Sequence, residues 1–267
     1  MFSKFIPLAA ALLSAGFCSA SFGQISGAVK LDGKAPEMPE ITAIKNNPDC
    51  AKMHKDPVYE ETVVVGDNGE LANVVVSIKP AEGQKIKGDI PKDPAVLDQK
   101  GCMYHPHVIA CMVGQDVVIK SSDPFLHNVH ALCIDNDPFN FGQPVPSEKK
   151  ITPFTTPETF KVKCDIHPWM AAWIVVLDNP YFAVSDEKGT YSIDTKGLPD
   201  GDYTLSAWQE KYGEQTQKIT VKDGKAAADF TFKSDEKALA NPVGPVREVS
   251  LASLMFAETC CQPAAAR

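Results

Sequence analysis

Apolar side chains alternate with polar ones through much of the chain, and β-branched residues dominate the apolar positions. Phe160, Val162 and Cys164 fall on one face of such a run, the period of a half-buried strand. The same pattern predicts strands at Ile25 to Leu31, Thr62 to Val65, Val74 to Ile78, Val108 to Val113, Val117 to Lys120, Asn128 to Ile134, Thr159 to Cys164 and Ala172 to Leu177. Gly66-Asp67-Asn68-Gly69 lies between two of these runs and offers glycine and asparagine for positive φ, a hairpin signal. Ala35 to Pro57 and Pro80 to Asp98 are rich in proline and polar residues and read as irregular. Asp135 to Pro157 reads as a long connection. Near the end, Gln215 to Val221 and Ala226 to Phe232 return to the strand pattern, so the fold expected is all-β.

Composition narrows the compartment and the partners. The chain has 267 residues and a net charge of −8. An acidic surface argues against nucleic acid, whose phosphates need a basic face. Residues 1–20 read as a secretory signal: Lys4 precedes an apolar run, Ile6 to Phe17, and small residues follow. That run is short for a bilayer span. Cys18 would serve a lipoprotein signal, but Phe17 stands where a small residue is wanted. Export to the periplasm or the cell surface is therefore expected, with no integral segment in the mature chain. Export permits disulfides. Cys50, Cys102, Cys111, Cys133, Cys260 and Cys261 are the candidates. The sequence leaves their pairing open, and the working assignment is Cys50–Cys102 with Cys111–Cys133.

The chemistry concentrates where the run ending at Cys164 meets Asp165-Ile166-His167-Pro168-Trp169-Met170. A thiolate, an imidazole and a thioether stand within seven residues. Thiolate and thioether hold Cu(I), and imidazole serves both copper oxidation states. Zinc fits less well, because methionine is a poor zinc ligand and a structural zinc wants four nitrogen or sulfur donors. His127, in Phe125-Leu126-His127-Asn128-Val129, is a second imidazole. His130 falls on the opposite face by period two. His105 and His107 form an H-x-H pair, and one such pair is too few for a multicopper oxidase, so they read as rim residues. Cys50, Met53 and His54 read as a loop tied by a disulfide rather than as a metal site.

These motifs resemble the cupredoxins, the plastocyanin and amicyanin family. The resemblance rests on Gly114-Gln115-Asp116-Val117-Val118-Ile119, His127-Asn128-Val129 and the C-x2-H-x2-M spacing, and it covers roughly Val108 to Leu177. Leu126 stands where plastocyanins often carry proline. The resemblance implies a Greek-key β-sandwich holding one type 1 copper ion. His127, Cys164 and His167 would be strong ligands, and Met170 a weak axial one. It also implies that the Asn128 N–H bonds to the thiolate and that His167 lies near the surface in an apolar patch.

From Asn179 a different pattern appears. Asp186, Gly189 and Tyr191, then Leu198, Pro199, Gly201 and Tyr203, resemble the carboxypeptidase regulatory-like, or transthyretin-like, family. This implies a second, smaller prealbumin-like β-sandwich. The expected divisions are 24–178 for the copper unit, 179–234 for the second sandwich and 235–267 for a tail, in which Arg247 to Ala257 reads as a short helix. Alternatively, strands from the Ile25 to Ile78 region join the second sandwich and the copper unit is inserted between them. No Ser-His-Asp order, phosphate loop or paired carboxylates stand in a recognisable context. The function implied is a one-electron carrier serving an unidentified redox partner protein, not an enzyme. The alternatives are copper binding or delivery, and a surface scaffold in which copper is structural.

Overall fold

Alternating burial is what organises the strands. In β10 (Glu158–Lys163), Phe160 and Val162 are buried while Lys161 is exposed, and Cys164 follows on the inner face. In β7 (His127–Ala131), His127, Val129 and Ala131 point inward. The computed structural model describes residues 23–80 and 85–235; the expected signal, Cys18, Cys260, Cys261 and the short helix at 247–257 lie outside them. No described helix is long and apolar enough to cross a membrane.

The structure is nearly all β, arranged in four sheets. One sheet has the order β5-β11-β10-β7-β8, adding β5 (Val108–Met112), β11 (Ala171–Leu177) and β8 (Asn140–Gln143) to the two strands above. A second has the order β4-β3-β6-β9, from β3 (Ala95–Lys100), β4 (Met103–His105), β6 (Val117–Ser121) and β9 (Ser147–Ile151). Their inner faces share one core that includes Leu97, Ile119, Phe160, Val162 and Ile174. This is the architecture of a cupredoxin-like β-sandwich.

The other two sheets draw on both ends of the chain. The first has the order β12-β2-β14-β15: β2 (Val75–Lys79), β12 (Phe182–Val184), β14 (Gly201–Gln209) and β15 (Gly213–Val221). The second is built on β1 (Gln24–Asp32), flanked by β13 (Thr190–Asp194) on one side and by β16 (Ala226–Ala227) and β17 (Phe230–Lys233) on the other. Ile25, Leu71, Ile78, Tyr191, Leu205 and Phe232 fill their common core. The hydrogen bonds of β1 and β2 thus run to strands beyond residue 179, across the division expected at 178. A smaller apolar seam of Val75, Val108, Trp173 and Val175 joins the two halves.

Four local expectations are corrected. Thr62 to Val65 forms no strand, and Val65 makes only an isolated bridge to Leu71. The connection Asp135 to Pro157 contains β8 and β9, and the Pro80 to Asp98 loop gives way to β3. Ala35 to Pro57 carries two short helices, α1 (Thr42–Asn46) and α2 (Pro48–Ala51), the latter capped by the Asn47 side chain.

Of the two assigned disulfides, Cys50–Cys102 forms, with a Cα separation of 5.6 Å. Cys111 and Cys133 instead carry buried free thiols. Cys111 lies on β5 and Cys133 follows β7, with β11 and β10 between those strands. Strands stand about 4.8 Å apart, so the gap exceeds the roughly 7 Å Cα limit for a disulfide.

Candidate metal centre

Strand parity delivers the donors. His127 opens β7 on its inner face, and Cys164 continues the inner face of β10. Neighbouring β10 and β7 pair through Val162 and Ala131. The loop after Cys164 then folds back: the Met170 N–H donates to the His167 carbonyl at 2.9 Å, and the Cys164 N–H donates to the Met170 carbonyl at 3.2 Å. His167 is thereby turned inward over the strand end.

The result is a convergence of three donors. Nδ1 of His127 lies 3.1 Å from Nδ1 of His167, and Sγ of Cys164 lies 3.9 Å from the same His167 nitrogen. One donor atom from each of the three lies within 4.8 Å of the others, and all three residues are buried. Met170 is fully buried in the same cluster as Cys164. His130 stays outside, paired with Asp165 at 3.0 Å.

The thiol is tuned toward its ionised form. Burial raises the Cys164 pKa, but hydrogen bonds from the two imidazoles and from the backbone N–H groups of His167 and Asn128 outweigh it and bring it to about 6. The His167 N–H donates to Sγ at 3.3 Å. A thiolate at neutral pH is the form that binds metal.

These donors fit a transition-metal ion. With bonds of about 2.0 Å to nitrogen and about 2.3 Å to sulfur, as at zinc, one point can satisfy both spacings.

Asp123 is the functional residue that sequence reasoning passed over. Its carboxylate is fully buried and accepts the Nε2–H of His127 at 2.8 Å, which leaves Nδ1 free to face the other donors. It also accepts the N–H groups of Gly101 at 2.7 Å and Cys102 at 2.8 Å. Both residues adopt left-handed backbone, φ 63° and 56°, so the turn aims two successive N–H groups at one anion. Burial alone would raise the Asp123 pKa; the bond from His127 and those from the turn hold it below the ordinary carboxylate value. Asp123 stands four residues before His127 in the sequence, the only local signal it gives.

The rim differs from expectation. His167 is only 4% exposed, not set in an open apolar patch. The Cys50–Cys102 disulfide closes over it, with both sulfurs and a His167 nitrogen within 4.8 Å of one another. Trp169 adds a wall: its indole N–H donates to the Cys102 carbonyl at 3.0 Å, and its ring centroid lies 5.2 Å from that of His167. Phe125 packs against His127 and His167, while Leu126 and Ile166 remain exposed.

The remaining histidines are placed elsewhere. His107 is not a rim residue: it is buried in the seam between the halves, against Glu210. His54 donates to the Gly101 carbonyl at 2.6 Å, and Met53 is exposed.

No protein-family model and no curated protein sequence matches the chain. Among solved structures it is similar to Cu-containing nitrite reductase from Thermus scotoductus SA-01, at 24% identity over 37% of this chain and 26% of that one, with a TM-score of 0.30. It is similar to an oxidised mutant of amicyanin at 23% identity, over 32% of this chain and 82% of that one, with a TM-score of 0.29. A purple cupredoxin from Nitrosopumilus maritimus is 19% identical over 31% of this chain and 99% of its own length, with a TM-score of 0.27. The chain spans about a quarter of the nitrite reductase. These likenesses are partial, and the reading of the centre rests on its own geometry.

Proposed function

We propose that the chain is an exported type 1 copper protein that carries single electrons for a partner protein. The observation that supports it best is the meeting of two Nδ1 atoms 3.1 Å apart with a thiol 3.9 Å from one of them, on three buried residues. His127, Cys164 and His167 are the proposed strong ligands and Met170 the axial one. Copper so held supplies a one-electron couple that a fixed donor set serves in both states. The chain's own contribution is rigidity. Asp123 fixes the His127 ring, the Cys164–Met170 loop holds its own ends together, and the surrounding core excludes water. No ligand has to move when charge changes.

We read the second pair of sheets as a carboxypeptidase regulatory-like module. Asp186 accepts the Thr190 N–H at 2.8 Å across the turn, and Gly189, at φ 67°, has no room for a Cβ, which would lie 2.5 Å from the Val29 carbonyl oxygen. The Tyr191 hydroxyl donates to the Ala228 carbonyl at 2.6 Å.

The deciding experiment is the visible and EPR spectrum of the copper-loaded mature chain. An intense blue or green thiolate band that ascorbate bleaches supports the carrier. The closed position of His167 favours a second reading, a copper-binding or delivery protein that does not exchange electrons with a partner. Tight Cu(I) binding with no thiolate charge-transfer band on Cu(II) addition would select it.

A further inference from the structure

We propose that the chain contains a second, redox-gated Cu(I) site made by Cys50, Cys102 and His167, which opens when the Cys50–Cys102 disulfide is reduced. The two sulfurs and a nitrogen of His167 lie within 4.8 Å of one another, and all three residues are buried. Two thiolates and an imidazole form a soft donor set suited to Cu(I). An imidazole has two nitrogens, so His167 can serve this site and the Cys164 site together.

The surroundings favour such a site. Cys102 sits in a turn whose backbone is held from two other directions, by Asp123 on its N–H and by Trp169 on its carbonyl. Its sulfur therefore stays in place without the disulfide. Cys50 lies on α2, a four-residue helix beside the five-residue α1. Helices this short are marginal alone, so opening of this segment gives a reductant access to an otherwise buried bond.

The chemistry balances with an external dithiol as reductant. The dithiol gives two electrons and two protons to the disulfide, leaving two cysteine thiols and its own cyclic disulfide. Cu(I) then replaces the two thiol protons and, when the Cys164 site is also filled, the remaining N–H proton of His167; all of them pass to solvent.

The test is an anaerobic Cu(I) titration of the full mature chain against a chromophoric chelator, before and after reduction. One additional Cu(I) per chain is expected after reduction. A Cys164→Ser variant should lower both counts by one and keep the difference. If His127, Cys164 and His167 hold no copper at all, the disulfide-bonded chain binds no Cu(I) but the difference persists, so the two proposals fail separately. A Cys50→Ser/Cys102→Ser variant should show no additional ion. As a measurement independent of how that variant folds, thiol alkylation is followed by mass spectrometry on the reduced native chain. Cu(I) should slow labelling of Cys50 and Cys102 at least tenfold, with Cys111 and Cys133 as internal controls. Equal Cu(I) counts before and after reduction, or labelling of Cys50 and Cys102 unchanged by Cu(I), overturns the proposal.

Discussion

Asp123 and His127 form a fully buried carboxylate–imidazole pair at 2.8 Å, and that pair orients the ring that faces Cys164. Partners of this kind set the tautomer and basicity of a ligating histidine. Asp123→Asn is expected to weaken copper binding by about 10–100-fold while leaving the strands intact. Chelator competition, with far-UV circular dichroism as the control, checks it. Unchanged affinity would mean that the ring is held by packing alone.

Cys164→Ser should abolish the thiolate charge-transfer band entirely and preserve the fold, because serine is close in size and sits at the strand end. The visible spectrum after Cu(II) addition is the measurement. A retained band would place the thiolate ligand elsewhere.

Tyr104 ties the two ligand-bearing segments together. Its hydroxyl lies 2.6 Å from the Asn128 carbonyl and 3.2 Å from the Lys163 carbonyl. Tyr104→Phe leaves both carbonyls without that donor and should cost about 1–2 kcal/mol. Urea unfolding of the metal-free chain would show it as a lower midpoint at unchanged slope.

Glu210 holds the seam between the halves. Its carboxylate accepts the Trp173 indole N–H at 2.7 Å and pairs with His107. Glu210→Ala strands both partners in a buried place and is expected to cost about 3 kcal/mol. If thermal unfolding splits into two transitions in this variant, the seam is what couples the halves.

Asp186 gives a pH prediction away from the metal. The Thr190 N–H and hydroxyl and the Lys188 N–H hold its carboxyl below the ordinary value. A depressed carboxyl stabilises the fold above its unfolded value and loses that effect as pH falls through its folded one. Asp186→Asn should therefore lower the denaturation midpoint at neutral pH, and the gap to the native chain should close below about pH 4. A gap independent of pH would assign the effect to turn shape rather than charge.

How much of this could be read from sequence depends on whether a feature is local. Period two placed Phe160, Val162 and Cys164 inward and separated His127 from His130, and the structure keeps that parity. It failed at β9, where Ser147, Glu148, Lys149 and Lys150 give no apolar alternation because the strand lies at a sheet edge with a single neighbour. It failed at β3, where the inward positions include a polar residue, Gln99. Helices of four and five residues are too short to show a period. Asp123 and the disulfide over His167 depend on segments that meet only in three dimensions. The separation of Cys111 from Cys133 has the same cause, since strand order decides which cysteines are neighbours.

The pairing of β1 also dictates a sequence of events. Ile25 meets Ile193 and Val29 meets Phe230, whereas β3 through β11 find all their partners between residues 95 and 177. As the growing chain emerges from its N-terminus, the later-made strands β3 to β11 can close first. β1 can meet residues 69–71 early, through the Leu31 N–H to the Gly69 carbonyl and the Leu71 N–H to the Val29 carbonyl, but its ladder partners β13, β16 and β17 come only near the end. Such distant pairing is slow. The stretch near Ile25 is therefore where a holding chaperone would be needed longest.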